Sequence, residues 1–245
     1  MSATPDRVDR PGLRESLSTP ASKGRYVRRL FSTIADRYDL ITVLLSYGQD
    51  HRWKERLVTL AAVQSGARAL DLACGTGDIT FQLSASGARA IGLDITPRMV
   101  ELAAHKPAGR SARFLVGDMM ALPFESSRFD LVTTGYGIRN VPVLRQAIAE
   151  IHRVLKPGGL FLSLDFNRPS SAIVRGVYLS YLTVVGSTLG FVLHRDPDTY
   201  RYIPESIRRY PGASAVCSIV REEGFASCEA LPVLGGLMAI HRARK

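Results

Sequence analysis

Val27, Leu30, Phe31 and Ile34 recur at three- and four-residue spacing, and this period predicts helix from about residue 26 to residue 60. The rhythm then changes. Residues 67–73 form an apolar run that stops at Cys74-Gly75-Thr76-Gly77, which reads as a strand feeding a glycine turn, and residues 79–84 open a helix. Residues 89–94 predict a second strand and 97–106 a second helix, with Thr96 at its N-cap and Pro97 at its first position. Residues 113–116 and 129–133 supply strands three and four. A helix over 143–155 closes on the turn Lys156-Pro157-Gly158-Gly159, and a fifth strand covers 160–164. A helix over 213–223 precedes two short runs, 228–231 and 236–241, that suit an antiparallel pair.

Strands alternating with helices of this length predict an α/β fold: a doubly wound, mostly parallel, seven-stranded sheet with N-terminal helices. Residues 171–193 break the alternation, being apolar with Arg175 as the one charge. A span needs roughly 20 apolar residues, so the length is borderline. A span here would place the two edges of the sheet on opposite sides of a membrane, so the expectation is a helical insertion after strand five that covers the sheet's C-terminal rim. Residues 1–24, with Pro5, Pro11 and Pro20 and no apolar period, predict a flexible arm before one domain over 25–245.

The sharpest local signal is Asp71-Leu-Ala-Cys-Gly-Thr-Gly-Asp78, followed by Asp94 at the end of the next strand. Gly75 and Gly77 permit a tight backbone turn beside a ligand, and the following helix offers free N–H groups. Asp94 is placed to accept hydrogen bonds from ribose hydroxyls. The sixth position counted from Gly75 is Thr80, so the dinucleotide pattern G-x-G-x-x-G is absent. Asp71 and Asp78 beside the loop would repel a pyrophosphate and attract a cation. These features point to S-adenosylmethionine rather than a nicotinamide dinucleotide, with Asp71, Gly75, Thr76, Gly77 and Asp94 as the expected cofactor residues. Asp118 and Met119, after strand three, are expected at the adenine. The alternatives are a structural strand-to-helix turn and an ordinary acidic loop residue.

Net charge of +10 admits nucleic acid, an anionic membrane surface, or no specific partner, and it decides nothing alone. Three cysteines without a CxxC or a Cys/His cluster predict a cytoplasmic protein without structural zinc or another metal. No apolar segment follows the start, so no secretory signal is expected, and Asp6, Asp9 and Glu15 disfavour a transit peptide.

Several segments carry a family resemblance. Tyr136-Gly-Ile-Arg-Asn-Val141 resembles a signature of the ubiquinone/menaquinone biosynthesis C-methyltransferases. Phe31 to Asp39, Ser46-Tyr-Gly48 with Trp53-Lys54, Arg153 to Gly159, Tyr200 to Arg208, Gly235-Gly236 and Ala239-Ile-His241 agree in order and spacing. The resemblance covers nearly everything after residue 25. Departures are Ile41-Thr42 after Tyr-Asp, Asp50-His51 with its histidine displaced by one place, Leu234 before Gly235-Gly236, Ala243-Arg244 near the end, and Gly135 where the family often has a serine.

The resemblance implies methylation of a ring carbon on a polyprenylated quinol, demethylmenaquinol to menaquinol in the preferred reading, with naphthoquinol and benzoquinol both left open. It implies no metal. It places Arg139 and Asn140 at the reacting ring, Arg139 stabilising a phenolate and Asn140 orienting the ring oxygen; the alternative for Arg139 is a buried salt bridge holding its loop. Tyr38 and Gly135 are expected at the cofactor, and Tyr136, Tyr202 and Arg208 at the substrate. Tyr202, Glu205 and Arg208 could equally form a surface ion-pair row. His51 and Trp53 read as core or lid residues. A polyprenyl tail would bring the protein to the inner face of an anionic membrane as a peripheral enzyme, and a homodimer is left open.

Rival readings are a methyltransferase of another small aromatic natural product, an RNA methyltransferase, and a binding module that has lost turnover. No Asn/Asp-Pro-Pro-aromatic stretch follows strand four, and no cysteine follows a proline, so nucleic acid is not expected as substrate.

Overall fold

The computed structural model describes residues 12–169, 171–195 and 198–245. Seven strands form one sheet in the order β3-β2-β1-β4-β5-β7-β6: β1 (Arg68–Leu72), β2 (Arg89–Asp94), β3 (Arg113–Val116), β4 (Phe129–Gly135), β5 (Leu155–Phe166), β6 (Ser227–Val233) and β7 (Met238–Arg244). β1 to β5 run parallel, and β7 is antiparallel to both β5 and β6. The doubly wound expectation is met. Strand order reverses between β1 and β4, and that switch point, outside the carboxyl ends of the strands, is where such sheets bind ligands.

β1 is buried beyond Arg68, Asp71 included, as a central parallel strand covered on both faces must be. Leu70, Leu72 and Phe161 face Ile148, Ile151, Val216 and Val220 on one side of the sheet. Leu131 and Leu162 face Leu57, Ile79 and Leu83 on the other. The helices concerned are, on the first side, α7 (Leu144–Val154) and α10 (Ala213–Glu222), and on the second α4 (Asp50–Ala61) and α5 (Asp78–Ala85). α6 (Pro97–His105) follows β2. Thr96 takes the N-cap position of α6, but its hydroxyl makes no cap hydrogen bond.

Three expectations change. Of the predicted arm, residues 1–11 lie outside the described residues, and the chain is helical soon after: α1 (Leu13–Ser16) is followed by α2 (Pro20–Ile34). Thr19 and Ser22 form a reciprocal capping box, with Pro20 inside the first turn, which starts α2 where polar composition alone suggested disorder. The single helical pattern of residues 26–60 divides into α2, α3 (Tyr38–Ser46) and α4: a 3-10 turn over Ala35–Arg37 separates the first two, and left-handed Tyr47 and Gly48 (φ 50° and 73°) separate the last two. Lys156-Pro157-Gly158-Gly159 does not end before the fifth strand but lies within β5, with a register irregularity against β4.

The apolar insertion is α8 (Ala172–His194), followed by α9 (Asp198–Arg209). Ala172–Leu193 is long and apolar enough to cross a membrane by length and composition. Its inner face, however, buries Tyr178, Leu179 and Leu182 against Ile207 of α9. Its outer face leaves Ile173, Val177, Val184, Phe191 and Val192 exposed.

Gly77 has φ 93°, and a Cβ there would lie 2.8 Å from the Phe81 ring. Gly77→Ala is expected to lower stability by about 1–3 kcal/mol, read as a shift in the midpoint of chemical denaturation.

Candidate active site

A cavity of about 660 Å³ opens at the switch point, lined by Gly75, Asp94, Thr96, Asp118, Met119, Gly135, Tyr136 and Asn140, among others. Its far wall is α2, through Ala21, Gly24, Val27, Arg28 and Phe31. The volume suits a ligand of nucleoside size, since small-molecule sites usually span roughly 300–1,000 Å³. Lys23 clamps α2 in place: its Nζ donates to the carbonyls of Arg139 (3.0 Å) and Val141 (2.7 Å). Burial, with Arg139 and Arg209 nearby, pulls the Lys23 pKa down to about 8.

Asp94 ends β2 with its carboxylate 2.9 Å from the Gly75 N–H and 2.8 Å from the Thr96 N–H. One carboxylate thus fixes the tips of two adjacent strands. Burial raises its pKa, while the N–H groups of Thr96 and Gly75 oppose the shift. Each oxygen keeps a lone-pair direction free for a ligand hydroxyl. The Thr96 hydroxyl is buried without a partner and belongs to the cavity lining. Asp118 accepts from the Met120 N–H at 2.9 Å, and Met119 is buried beside it. Tyr38 stands against Gly75, where a Cβ would lie 3.5 Å from its ring, and burial pushes its pKa up to about 12. Two lining carboxylates, an unpartnered hydroxyl and a thioether fit a sugar, an adenine and a positively charged sulfur.

Three residues expected at the cofactor do not reach that cavity. Asp71 is buried behind the glycine turn, accepting from Thr80 (2.7 Å) and Thr133 (2.9 Å). Burial pushes its pKa up to about 7, against the pull of those two hydroxyls and Lys54. The Thr76 hydroxyl turns away to donate to Asp39 of α3. Gly77 serves as the N-cap of α5. The electrostatic argument from Asp71 and Asp78 fails as well. Asp78 is already paired, 2.9 Å from Lys54 and 3.3 Å from Lys106, and these lysines hold its pKa down against burial. Lys106 also meets Asp39 at 2.9 Å, tying the N-terminal helices to the glycine turn.

A second, apolar cavity of about 280 Å³ adjoins the first, and Phe31, Tyr38, Tyr136 and Asn140 line both. Leu30, Ile34, Ile41, Leu45, Phe166 and Leu182 supply much of its surface. Its rim carries the exposed side chains of Tyr47, Tyr181 and Leu234, with a Tyr47–Tyr181 hydroxyl contact across it. Asn140 donates to the Tyr136 carbonyl (2.8 Å) and accepts from the Tyr202 hydroxyl (2.9 Å). Tyr202 is therefore both a wall residue and the strut that orients Asn140.

Arg139 lines this cavity too, yet its guanidinium is committed elsewhere. It pairs with Asp165, donates to Ser206 at 2.9 Å and stacks 4.9 Å over the Phe166 ring. Burial works against its charge, but Asp165 more than offsets this and raises its pKa. The buried salt bridge is what the structure shows, and a charge so neutralised is a weak stabiliser of a phenolate. Arg208 lies on the surface, half-exposed beside Glu205 at 3.4 Å, and lines neither cavity. His51 is exposed beside Glu55, while Trp53 lines the apolar cavity.

Residue-by-residue reading of the sequence passed over Asp50, Lys54 and Asp165. The Asp50–Lys54 pair was visible as a four-residue spacing on one helix face. Asp165 was visible as a carboxylate at the end of an apolar strand. Among the described residues, no group of three or more His, Cys, Asp or Glu gathers to hold a metal.

Comparison with known proteins identifies the family. The profile of the ubiE/COQ5 methyltransferase family matches residues 19–245. The chain is 40% identical to a demethylmenaquinone methyltransferase of Thermus thermophilus over 86% of its length and 98% of that protein. It is 36% identical to a ubiquinone/menaquinone biosynthesis C-methyltransferase of Zymomonas mobilis, over 93% of the chain and 95% of that protein. In fold it resembles a SAM-dependent methyltransferase of Thermotoga maritima (TM-score 0.65, 18% identity, covering 89% of this chain and 99% of that one). It also resembles a phosphoethanolamine N-methyltransferase of Haemonchus contortus solved with S-adenosyl-L-methionine (TM-score 0.59, 16% identity, covering 79% and 52%). The chain belongs to the ubiE/COQ5 methyltransferase family and is an S-adenosylmethionine-dependent methyltransferase.

Proposed function

We propose that the protein methylates a ring carbon of a polyprenylated quinol, demethylmenaquinol in the first place, at the junction of its two cavities. The observation that carries this reading is that junction: a cavity sized for a nucleoside, with Asp94 and Asp118 in its lining, meets a smaller, more strongly apolar one at Tyr38, Tyr136 and Asn140. An aromatic head with two hydroxyls and a hydrocarbon tail matches both halves. The relatives named for demethylmenaquinone and ubiquinone/menaquinone methylation support the same substrate class.

S-adenosylmethionine, when bound, supplies an electrophilic methyl whose bond to sulfur breaks, the pair staying on sulfur, as a ring-carbon pair forms the new bond. The protein's share is placement, and holding reacting atoms at about 3–3.5 Å can supply several kcal/mol of the barrier. Asp94 accepts from the ribose hydroxyls, Asp118 from the adenine amino group, and Met119 packs on the ring. Gly75 and Gly135 keep the backbone close, and Tyr38 closes the cavity. Asn140, braced by Tyr202, orients a quinol oxygen. Arg139 holds the 138–140 turn through Asp165 and takes no proton.

The tail would enter past Tyr47, Tyr181 and Leu234. Leu40, Val43 and Leu44 of α3 and the outer face of α8 leave a broad apolar surface exposed around that rim. A net charge of +10 adds attraction to an anionic leaflet. This surface would rest on the cytoplasmic side of the membrane while the quinol ring reaches the junction.

Purified protein given labelled S-adenosylmethionine is expected to label a reduced demethylmenaquinone, and failure on every quinol would overturn the reading. Asp94→Ala should weaken S-adenosylmethionine binding about 10- to 100-fold in calorimetry, as expected for losing charged hydrogen bonds, while Arg208→Ala leaves it unchanged. The protein should co-sediment with anionic liposomes at low salt, and Leu44→Glu with Val184→Glu should abolish that co-sedimentation.

A further inference from the structure

Tyr136 occupies the junction of the two cavities, and its hydroxyl donates to Asp50 Oδ1 at 2.7 Å. Asp50 itself lines the apolar cavity and is almost fully buried. Its other oxygen lies 2.5 Å from Lys54 Nζ, which reaches on to Asp78 at 2.9 Å. Burial opposes the charge on Lys54, but Asp50 and Asp78 reverse the balance and raise its pKa. Lys106 and Asp39 extend this cluster, in which the carboxylates of Asp39, Asp50 and Asp78 face the ammoniums of Lys54 and Lys106 and leave one net negative charge. That charge lies within one hydrogen bond of Tyr136.

The backbone also favours a special task for Tyr136. Its φ is 60°, a left-handed conformation that costs a non-glycine residue on the order of 1–3 kcal/mol. The ring leans on Phe166 at 5.7 Å between centroids, so its position is fixed. Burial, with Asp50 alongside, lifts its pKa well above the ordinary tyrosine value. Tyr136 therefore keeps its proton and gives it to Asp50 as a hydrogen bond, leaving the phenolic oxygen free to accept one from a neighbour in the cavity.

We propose that Tyr136 and Asp50 form the proton relay that ionises the quinol, with Tyr136 touching the substrate and Asp50 acting through it. The inference rests on the quinol reading above. The quinol hydroxyl donates to the Tyr136 oxygen. As methylation begins, that proton passes to Tyr136 while the proton of Tyr136 passes to Asp50 Oδ1, leaving a quinolate and a neutral Asp50. The oxygen's electron density activates the ring carbon, which attacks as the quinolate becomes a dienone. The dienone then loses its ring proton to solvent, and the relay returns the stored proton to the oxygen. The net change is one proton released per methyl transferred. Charged and titratable groups around the relay are Lys54 on α4, Asp78 on α5 with its partner Lys106, Asp71 on β1, Tyr38 on α3, and Asp165 on β5 with its partner Arg139.

The test is the pH dependence of turnover by Tyr136→Phe, a change that removes one oxygen and keeps the ring. Its kcat at pH 7 should fall about 100-fold or more, the usual share of positioned acid–base chemistry, with unchanged affinity for S-adenosylmethionine. The deficit should shrink about tenfold per pH unit as pH rises towards 10, the ordinary phenol pKa, because solvent then ionises the quinol. A ring-halogenated, more acidic quinol should restore part of the rate at pH 7. Asp50→Asn should show the same profile if circular dichroism finds it folded; if it is not folded, Tyr136→Phe decides alone. Wild-type rates in Tyr136→Phe, or a loss equal at every pH, would overturn the relay while leaving quinol methylation standing. Absence of quinol turnover in the wild type would remove both.

Discussion

Lys54, buried between Asp50 and Asp78, is the constraint on which the site depends. Bringing a charge out of water costs several kcal/mol, and this one is compensated only where two carboxylates meet it at 2.5 and 2.9 Å. Satisfying the lysine locks α4 against the first turn of α5, and with it the glycine turn that precedes α5. The same contact fixes the carboxylate that receives the Tyr136 hydroxyl. Cofactor loop and substrate wall are thus held by one cation, although they come from separate parts of the chain.

The sheet was legible because short apolar strands alternate with helical segments, and the strands over 89–94 and 113–116 have the predicted bounds although the latter is a largely exposed edge strand. Asp94 was legible because its position at a strand end dictates what it can touch. The N-terminal segment was not. A capping box between Thr19 and Ser22 is a local hydrogen-bond arrangement that hydrophobic periodicity does not register. Nor does periodicity reveal that Tyr47 bends the chain through a left-handed residue.

Charge was the least transferable signal. Asp71 and Asp78 read as an attraction for a cation, yet threonines and lysines elsewhere in the chain had already claimed them. Arg139 read either as a cation at the ring or as a buried salt bridge, and Asp165, twenty-six residues on, decides for the salt bridge. Arg208 shared a helix with Tyr202 and pointed the other way, to Glu205. Glu205 is a near neighbour of Arg208 in sequence, but the partners of Asp78 and Arg139 come from distant segments, so only the folded arrangement discloses those pairings.

The clamp that Lys23 places on the carbonyls of Arg139 and Val141 has an architectural consequence. The outer wall of the nucleoside chamber is a helix pinned at its first turn, not a strand laced into the sheet. Val27, Leu30 and Ile34 of that helix are buried against Tyr200 and Tyr202, so side-chain packing rather than a backbone ladder closes the chamber. Leu30, Phe31 and Ile34 of the same helix also line the apolar cavity, so one helix walls both chambers and neither can be opened without disturbing the other.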